Sequence, residues 1–443
     1  MGCGIMNTQK KIELNRKEHK PLQVNPIKHS QPMGAALAYM GVQNCLPLMH
    51  ASQGCASYTK VFYTRHFNEP IAMYNTSVSD ITAILDGGDY SILMAIENIT
   101  KKNKAMKPEL IGLHTTGLTE TKGDDVGSVG MHIEIPYCYV NTPDFEGGME
   151  SGWALTAKAL IEQHTEKTEE IKSHKLLLLP HVSTQPVEIE KIKELCEGFG
   201  FETHALPDLS TSLDGYLSEG QGKLGTGAIS IEDIKALGDT ATVITIGSSM
   251  DMAAKALLEK NPKISHIHFD HLMGQEKNDN FVAELMKIRQ IDPPPLVKRW
   301  RGRLQDAMLD SHFLIGSSHF VVTGEPDMCI GICELLQSVG GTIDAVVSTV
   351  YSPVLEKINA GTVFVGDLED AKSYFTDADL VISNFHAERL LHMDEYSHAG
   401  LMLRGFPNYE ELGNQLKNDQ LYEGSTYFLF EAANKLREIK HHG

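Results

Sequence analysis

The stretch that most clearly indicates the fold begins with LLLLP at residues 176–180 and VEIEKIKELCEGFG at 187–200. It continues with TVITIG at 242–247 and MDMAAKALLEK at 250–260. Short aliphatic runs here alternate with longer amphipathic segments, which is the pattern of strands followed by helices. The stretch therefore predicts a β-α-β-α unit with a parallel sheet.

The same alternation recurs on both sides of this stretch. The N-terminal side has LIGLHTTG (110–117), IPYCYVNTP (135–143) and SGWALTAKALIEQH (151–164), and the C-terminal side has HFVVTG (319–324), DMCIGICELLQSVGG (327–341), DAVVST (344–349), TVFVGD (362–367), LEDAKSYFTDA (368–378) and DLVISN (379–384). The fold class predicted is therefore α/β, with three doubly wound, Rossmann-like parallel-sheet domains.

Two segments are candidate domain boundaries. One is the charged stretch 165–174, and the other is 293–303, where three prolines precede four basic residues. We expect an N-terminal tail at 1–20, domain I at 21–170, domain II at 171–303 and domain III at 304–443. Since ligands of open parallel sheets lie beyond the carboxyl ends of the strands, a site is predicted in the loops 114–117, 141–145 and 384–386.

The composition is that of a folded protein with an acidic surface. Of 443 residues, 42% are hydrophobic and 22% charged, and the formal net charge is −19. This charge disfavours nucleic acids and anionic membranes as partners. The first residues contain no apolar run of signal-peptide length, and no aliphatic run approaches the roughly 20 residues of a membrane span. We expect a cytoplasmic protein whose seven cysteines are reduced.

Two motifs could indicate other functions. Gly220-Gln-Gly-Lys-Leu-Gly225 fits the dinucleotide pattern G-x-G-x-x-G, but it follows the polar run DGYLSEG where a strand is required, so a glycine loop is the better interpretation. His266-Ile-His268-Phe-Asp270-His271 has the H-x-H-x-D-H spacing of zinc hydrolases. Because it falls inside a β-α-β series, we favour a solvated or hydrogen-bonded histidine cluster and keep zinc hydrolysis as a remote alternative.

Among the cysteines, Cys329 and Cys333 share one face of a predicted helix with Ile330 and Leu336. This spacing could ligate metal, but a buried packing role is the better interpretation because no second thiol pair lies near in sequence.

The most informative segment for function is HSQPMGAALAYMGVQNCLPLMHASQGCASYTKVFYTRHFNEPIAM, residues 29–73. Ser30 and Pro32 can begin a helix that ends near Gly41. A strand-like LPLM then leads into a predicted glycine turn, in which Gly54 would let backbone amides approach the sulfur of Cys55. A lone cysteine in such a turn is usually inert, and a cubane iron–sulfur cluster normally needs four ligands.

The patterns H-x-S-Q-G-C and R-H-F-x-E-P in this segment resemble the β-type subunits of nitrogenase and of its cofactor-assembly scaffold, in the nitrogenase component 1-like family. The resemblance continues through LHTTGLTETKGDD, VNTPDFEGGMESGW, PDLSTSLDG, RGRLQDAMLDSHFLIG and VGDLEDAKSYFTDADLVISN. It covers nearly the whole chain after residue 20.

The resemblance also implies a ligand set, which this chain only partly keeps. The catalytic β subunit supplies three cysteines to an eight-iron P-cluster, and the matching positions here are Ser30, Cys55 and Gly117. Serine is a poor ligand for iron–sulfide and glycine has no donor. The chain is therefore not expected to build a P-cluster, and Cys55 is the candidate ligand, with Cys45 assigned to packing.

In lacking two of the three cysteines, the chain resembles the β-like scaffold subunit. This resemblance implies a non-catalytic role in nitrogen fixation. The resemblance implies a 4Fe-4S cluster shared with a NifE-like subunit, an α2β2 heterotetramer and binding of the iron–molybdenum cofactor precursor by the complex, mainly on the partner. It also implies transient contacts with NifB, NifH and the catalytic nitrogenase. The alternative within the family is the catalytic β subunit, an oxidoreductase component, against which Ser30 and Gly117 weigh.

Overall fold

The chain contains three parallel sheets, each covered by helices. The computed structural model describes residues 24, 27–67, 72–78, 88–102, 106–216, 224–393, 398–406, 408 and 411–442. In these residues the strand orders are β2-β1-β3-β4, β6-β5-β7-β8 and β11-β10-β9-β12-β13, and the strand pairs within each sheet are parallel. The predicted α/β class with three doubly wound sheets is confirmed.

The strands are short and mostly buried. Their bounds are β1 Cys45–Met49, β2 Tyr74–Asn75, β3 Leu110–His114, β4 Tyr137–Val140, β5 Lys172–Pro180, β6 Glu202–Ala205, β7 Thr240–Ile246, β8 Ser265–Phe269, β9 His319–Gly324, β10 Thr342–Ser348, β11 Thr362–Val365, β12 Leu380–Ser383 and β13 Gly400–Leu403. Central strands such as β1, β3 and β12 are buried at every residue, because helices cover both faces of the sheets. This burial explains why they appear in the sequence as continuous apolar runs.

The helices connect these strands and cover the sheets. Their bounds are α1 Gln31–Met40, α2 Gln53–Phe67, α3 Gly88–Lys102, α4 Gly117–Lys122, α5 Met149–His164, α6 Pro186–Gly198, α7 Ile231–Ala236, α8 Asp251–Lys260, α9 Gln275–Arg289, α10 Pro295–Ile315, α11 Pro326–Ser338, α12 Leu368–Phe375, α13 His386–Met393 and α14 Leu421–His442.

Helices α1 and α5 cross with their backbones in contact. A Cβ atom on Gly34 would lie 2.0 Å from the carbonyl oxygen of Met149, and a Cβ atom on Gly152 would lie 2.0 Å from that of Gln31. Only glycine permits this approach. The crossing fixes the beginning of α1 against the beginning of α5, at the carboxyl edge of the first sheet.

A buried carboxylate group joins the three sheets. Asp327, at the start of α11, accepts hydrogen bonds from the backbone N–H groups of Ser248 (2.9 Å) and Ser249 (3.0 Å) after β7. The backbone N–H of Asp327 donates to Glu150 Oε2 in α5 at 3.2 Å. Burial, with the nearby charges of Asp327 and Glu325, raises the pKa of Glu150 well above its usual value.

Helix α10 runs through the predicted limit between domains II and III. It begins at Pro295, within the proline-rich boundary segment, and continues past residue 303 to Ile315, packed against α14. The three predicted limits between these segments stay predictions, and the predicted tail at 1–20 lies outside the described residues.

Candidate functional site

Cys55 lies in the first turn of α2, a short loop beyond the end of β1, and its side chain is exposed. The prediction of a glycine turn at this position is wrong, because the helix already begins at Gln53. A Cβ atom on Gly54 would meet only the Ser52 hydroxyl, at 3.9 Å. The sulfur of Cys55 lies 3.3 Å from Oγ of Ser52. The thiol therefore sits at the N-terminus of a 15-residue helix, the positive end of the helix dipole.

The loops that carry Cys55 and Gly117 follow neighbouring strands. β1 pairs with β3, with Met49 opposite His114, so the two carboxyl ends meet at one edge of the sheet. The carbonyl oxygen of His50 accepts hydrogen bonds from the hydroxyls of Thr116 (3.1 Å) and Thr119 (3.0 Å). These bonds fix the two family ligand positions beside each other.

The buried side chain of His50 holds this edge of the sheet through two hydrogen bonds. Its ring is fully buried, with Nε2 2.8 Å from Asp124 Oδ2 and Nδ1 2.9 Å from the hydroxyl of Thr76. Lys122 also contacts Asp124, at 3.1 Å. Since an ionised carboxylate only accepts, Nε2 of the ring donates the hydrogen bond to Asp124. The loop before Cys55 is therefore held at a residue with no solvent exposure.

Gly117 is the first residue of α4, and Asp144 occupies the space beside it. The backbone N–H of Gly117 donates to Asp144 Oδ2 at 3.0 Å, and a Cβ on Gly117 would lie 3.2 Å from the same oxygen. Burial raises the pKa of Asp144, an effect that the Gly117 N–H opposes. The predicted site loops 114–117 and 141–145 do come together, although the residue types alone gave no reason to select Asp144.

Ser30 lies at the predicted cap position before α1, with extended backbone, but its side chain makes no capping hydrogen bond. Its neighbour Gln31 donates a hydrogen bond from Nε2 to Ser151 Oγ in α5, at 3.0 Å. The ring of His29 packs on Phe62 of α2, with a centroid distance of 5.3 Å. All three family ligand positions therefore lie at the beginning of a helix, and only Cys55 carries a sulfur.

The third predicted loop, 384–386, follows β12 of the third sheet and approaches the residue that precedes Ser30. The ring of His386 lies 6.4 Å from that of His29, and Asn384 donates from Nδ2 to the carbonyl of Phe406 at 3.0 Å. Asn384 also lines a cleft of about 590 Å³ at the carboxyl ends of β5, β9, β10, β12 and β13.

The other cysteines that the structure describes are buried: Cys45, Cys138, Cys196, Cys329 and Cys333. Burial raises the pKa of each, to about 12 for Cys138 and well above the usual value for Cys45 and Cys329. Thiols that resist ionisation are inert as metal ligands. The packing roles predicted for Cys45 and for the pair in α11 agree with this burial, and Cys3 lies outside the described residues.

The structure separates the members of the histidine motif. His268 contacts Asp251 (3.1 Å) and Asp270 (3.0 Å) at the edge of the second sheet, which raises its pKa to about 9. His271 instead lies 2.9 Å from Glu334 of α11. Within the described residues, no set of three or more His, Cys, Asp or Glu side chains is arranged to hold a metal ion. The predicted hydrogen bonding is confirmed for His266 and His268, which lie 3.0 and 2.9 Å from the hydroxyl oxygen of Thr245, whereas His271 does not join them.

The glycine motif lies partly outside the described residues, at 220–223. Gly225 is described, and its N–H donates to the carbonyl oxygen of Cys45 at 2.7 Å. The helix that follows, α7, begins after its cap Ser230 and not directly after a strand. The segment therefore packs beside β1, consistent with a connecting loop.

Large apolar side chains are exposed on α2 and near the start of α4, which follow the neighbouring strands β1 and β3. Tyr58 (58% exposed) and Val61 (53%) lie on α2, and Leu118 (44%) and Phe145 (64%) lie beside Gly117. We call Cys55 and these four side chains the ligand face. Because these groups lie on segments that meet at one edge of the sheet, we take the ligand face as a candidate protein–protein interface. In the part of the chain that is described, no helix combines the length and apolarity needed to cross a membrane.

Comparisons with known proteins agree on one family. The family model for nitrogenase component 1 type oxidoreductase matches residues 30–437. The chain is 36% identical to the nitrogenase iron-molybdenum cofactor biosynthesis protein NifN of Rippkaea orientalis, over 96% of both chains. It is 35% identical to the NifN protein of Mesorhizobium japonicum over 95% of this chain and 92% of that one, and 34% identical to that of Klebsiella pneumoniae over 96% and 93%.

The solved structures give the same result for the fold. The structure described as "Nitrogenase Cp1 at pH 6.5" superposes with a TM-score of 0.87 at 27% identity, over 95% of this chain and 94% of that one. A second, "Nitrogenase Cp1 at pH 5", has a TM-score of 0.70 at 12% identity over 96% and 93%. The second likeness is one of fold alone.

Proposed function

The chain belongs to the nitrogenase component 1 type oxidoreductase family, and on that premise we propose that it is a scaffold subunit for iron–molybdenum cofactor biosynthesis. The relatives that it matches over nearly their full length are cofactor biosynthesis proteins. The observation that carries the proposal is the state of the three family ligand positions. One has an exposed sulfur, Cys55, whereas Ser30 and Gly117 cannot complete a P-cluster.

The ligand face fits one corner of a shared 4Fe-4S cluster. Cys55 offers a single sulfur at a helix N-terminus, and a cubane needs further ligands that this face does not contain among its described residues. A bound cluster would supply single-electron transfer. We infer that a NifE-like subunit covers the ligand face and supplies the other three thiolates, because the exposed Tyr58, Val61, Leu118 and Phe145 require a partner surface.

Assembly of two such heterodimers into an α2β2 complex is supported by a second exposed apolar surface. On α10, Leu309 is 72% exposed and Phe313 is 83% exposed, one turn apart on the same side of the helix. Gly302 lies two turns before Leu309, and a Cβ there would have no neighbour within 4 Å. We infer that this stripe packs on its own copy across a two-fold axis, where a glycine permits close helix approach.

The complex would hold the cofactor precursor while it is completed. In this proposal the precursor comes from NifB, matures with the help of NifH in the cytoplasm and then passes to the catalytic nitrogenase. By resemblance to the family, the precursor is held mainly by the partner subunit, and in the described part of this chain every cysteine except Cys55 is buried.

Purified complex would test the scaffold role in two assays. The complex should restore dinitrogen reduction to an extract that lacks this subunit but contains cofactor-free catalytic nitrogenase. Alone with NifH, it should not reduce dinitrogen. Reduction of dinitrogen by the complex itself at the rate of a catalytic component would overturn the proposal in favour of the catalytic β subunit.

A further inference from the structure

A side-chain contact beside the candidate ligand has a chemical consequence. Oγ of Ser52 lies 3.3 Å from Sγ of Cys55, three residues later. Ser52 precedes the first residue of α2, so its hydroxyl lies at the helix N-terminus with the sulfur. The separation is within hydrogen-bond range for a sulfur acceptor, and both groups are near solvent.

The direction of this hydrogen bond depends on the state of the sulfur. In the free thiol either atom can donate, because both carry a proton. A sulfur bound to iron is a thiolate and has no proton to give. In a cluster-bearing complex, therefore, the serine must be the donor.

We propose that the Ser52 hydroxyl donates a hydrogen bond to the cluster-ligating sulfur of Cys55 and raises the reduction potential of the cluster. The inference rests on the proposed function, in which Cys55 is a ligand. Reduction adds an electron, and the extra negative charge is shared by the sulfurs. A donor to sulfur stabilises the reduced state more than the oxidised state, and hydrogen bonds of this kind are among the factors that set iron–sulfur potentials.

The surrounding backbone holds Ser52 in place for this role. His50 is locked by Asp124 and Thr76, and the carbonyl of Ala51 accepts a hydrogen bond from the N–H of Val78 at 2.9 Å. On the other side, Thr59 donates its hydroxyl to the carbonyl oxygen of Cys55 at 3.1 Å. The hydroxyl and the sulfur are thus positioned by two anchored segments, and little order has to be gained when the cluster binds.

Thr59 provides a matched control. Its hydroxyl is one helical turn from Cys55 and bonds the carbonyl oxygen of that residue, not its sulfur. The variants to compare in the purified two-subunit complex are Ser52→Ala, Ser52→Thr and Thr59→Val. For each, iron content is measured first and the midpoint potential of the cluster is then determined by a redox titration followed by electron paramagnetic resonance.

Ser52→Ala should keep its iron and show a more negative midpoint potential than the wild type. Ser52→Thr retains a hydroxyl and should stay near the wild-type potential, as should Thr59→Val. An unchanged potential in Ser52→Ala, an equal shift in Thr59→Val, or loss of the cluster from Ser52→Ala would each overturn the inference. Failure of the proposed function has a different signature, which is full iron content after Cys55→Ala.

Discussion

Nε2 of His50 and Oδ2 of Asp124 form a 2.8 Å contact in which the imidazole is fully buried and the carboxylate nearly so. This contact lies directly beneath the loop that leads to Cys55. Removing one member would leave the other buried without its partner, at a cost of about 1–3 kcal/mol. The stability of this edge therefore depends on two side chains distant in sequence.

His50→Ala should lower the thermal unfolding midpoint and reduce cluster loading together. The matched change His174→Ala removes a half-exposed histidine that pairs with Glu202, and it should alter neither by a comparable amount, since exposed pairs contribute about 0–1 kcal/mol. Calorimetry and iron analysis of the complex provide the two measurements. Normal stability and loading in His50→Ala would show that the loop is held by its backbone alone.

Cys55→Ala should remove or weaken the interface cluster, whereas Cys45→Ala and Cys329→Ala should leave it largely intact. The reason is accessibility, because Cys55 is exposed and the other two are fully buried with raised pKa values. Iron content and the paramagnetic signal of the complex report the outcome. If Cys45→Ala loses both while Cys55→Ala keeps both, the ligand assignment is wrong.

The double change Ser30→Cys with Gly117→Cys should not make the complex reduce dinitrogen. A side chain at 117 would require Asp144 and Phe145 to shift, which their side chains allow because the nearest atoms are not backbone atoms. Catalysis, however, also requires the mature cofactor in a catalytic partner. Turnover of dinitrogen by this variant with its own partner would contradict the scaffold assignment.

Phe313→Asp should split the α2β2 complex into heterodimers without loss of cluster iron. The charged side chain would be buried against its own copy, which is unfavourable without a counter-ion. Leu412→Asp is the control, because Leu412 is 88% exposed but lies outside α10. Mass measurement in solution distinguishes the two species. An intact tetramer in Phe313→Asp would place the two-fold contact elsewhere.

Glu325→Gln should stabilise the protein more at about pH 8 than at about pH 6. Burial, with Asp327, raises the pKa of Glu325 to about 7, although Thr349 and Lys28 oppose the shift. Above the unfolded pKa of about 4.3 the folded state keeps a proton that the unfolded state releases, so this stabilisation falls as pH rises to about 7. Glutamine is neutral at both pH values and retains an acceptor for Thr349.

Unfolding midpoints at the two pH values test this prediction. Glu169→Gln is the control because Glu169 is a highly exposed surface residue that contacts Lys263 at 3.3 Å. Equal stabilisation by Glu325→Gln at both pH values would show that Glu325 does not titrate in this range.

The strands and most helices could be predicted from the sequence because buried segments have recognisable local patterns of apolar residues, as in β5 and β12. The start of α2 at Gln53 could not be predicted, because a glycine at position 54 suggests a turn when only the local sequence is considered. The H-x-H-x-D-H spacing was ambiguous for a similar reason. His268 and His271 are three residues apart but leave the end of β8 toward different neighbours, Asp251 and Glu334.

Asp144 and the Glu150–Asp327 contact were missed because their partners are distant in sequence or belong to the backbone. The signal for Asp144 was indirect, since strand-end loops were predicted to converge but no residue type identified its bond to the Gly117 N–H. For Asp327, the partners are Ser248, in the turn after β7, and Glu150, in helix α5. Single-sequence patterns report local periodicity and do not report such pairings.

At the glycine crossing of α1 and α5, main-chain contacts hold the backbone in place whatever side chain residue 30 carries. Since Gly34 and Gly152 bring main chain against main chain, no rotamer of a neighbouring side chain sets the location of residue 30. The side chain at that position can be exchanged, sulfur for hydroxyl, while its coordinates stay fixed. The number of sulfur ligands at this edge of the sheet can therefore change while the main-chain crossing of α1 and α5 stays the same.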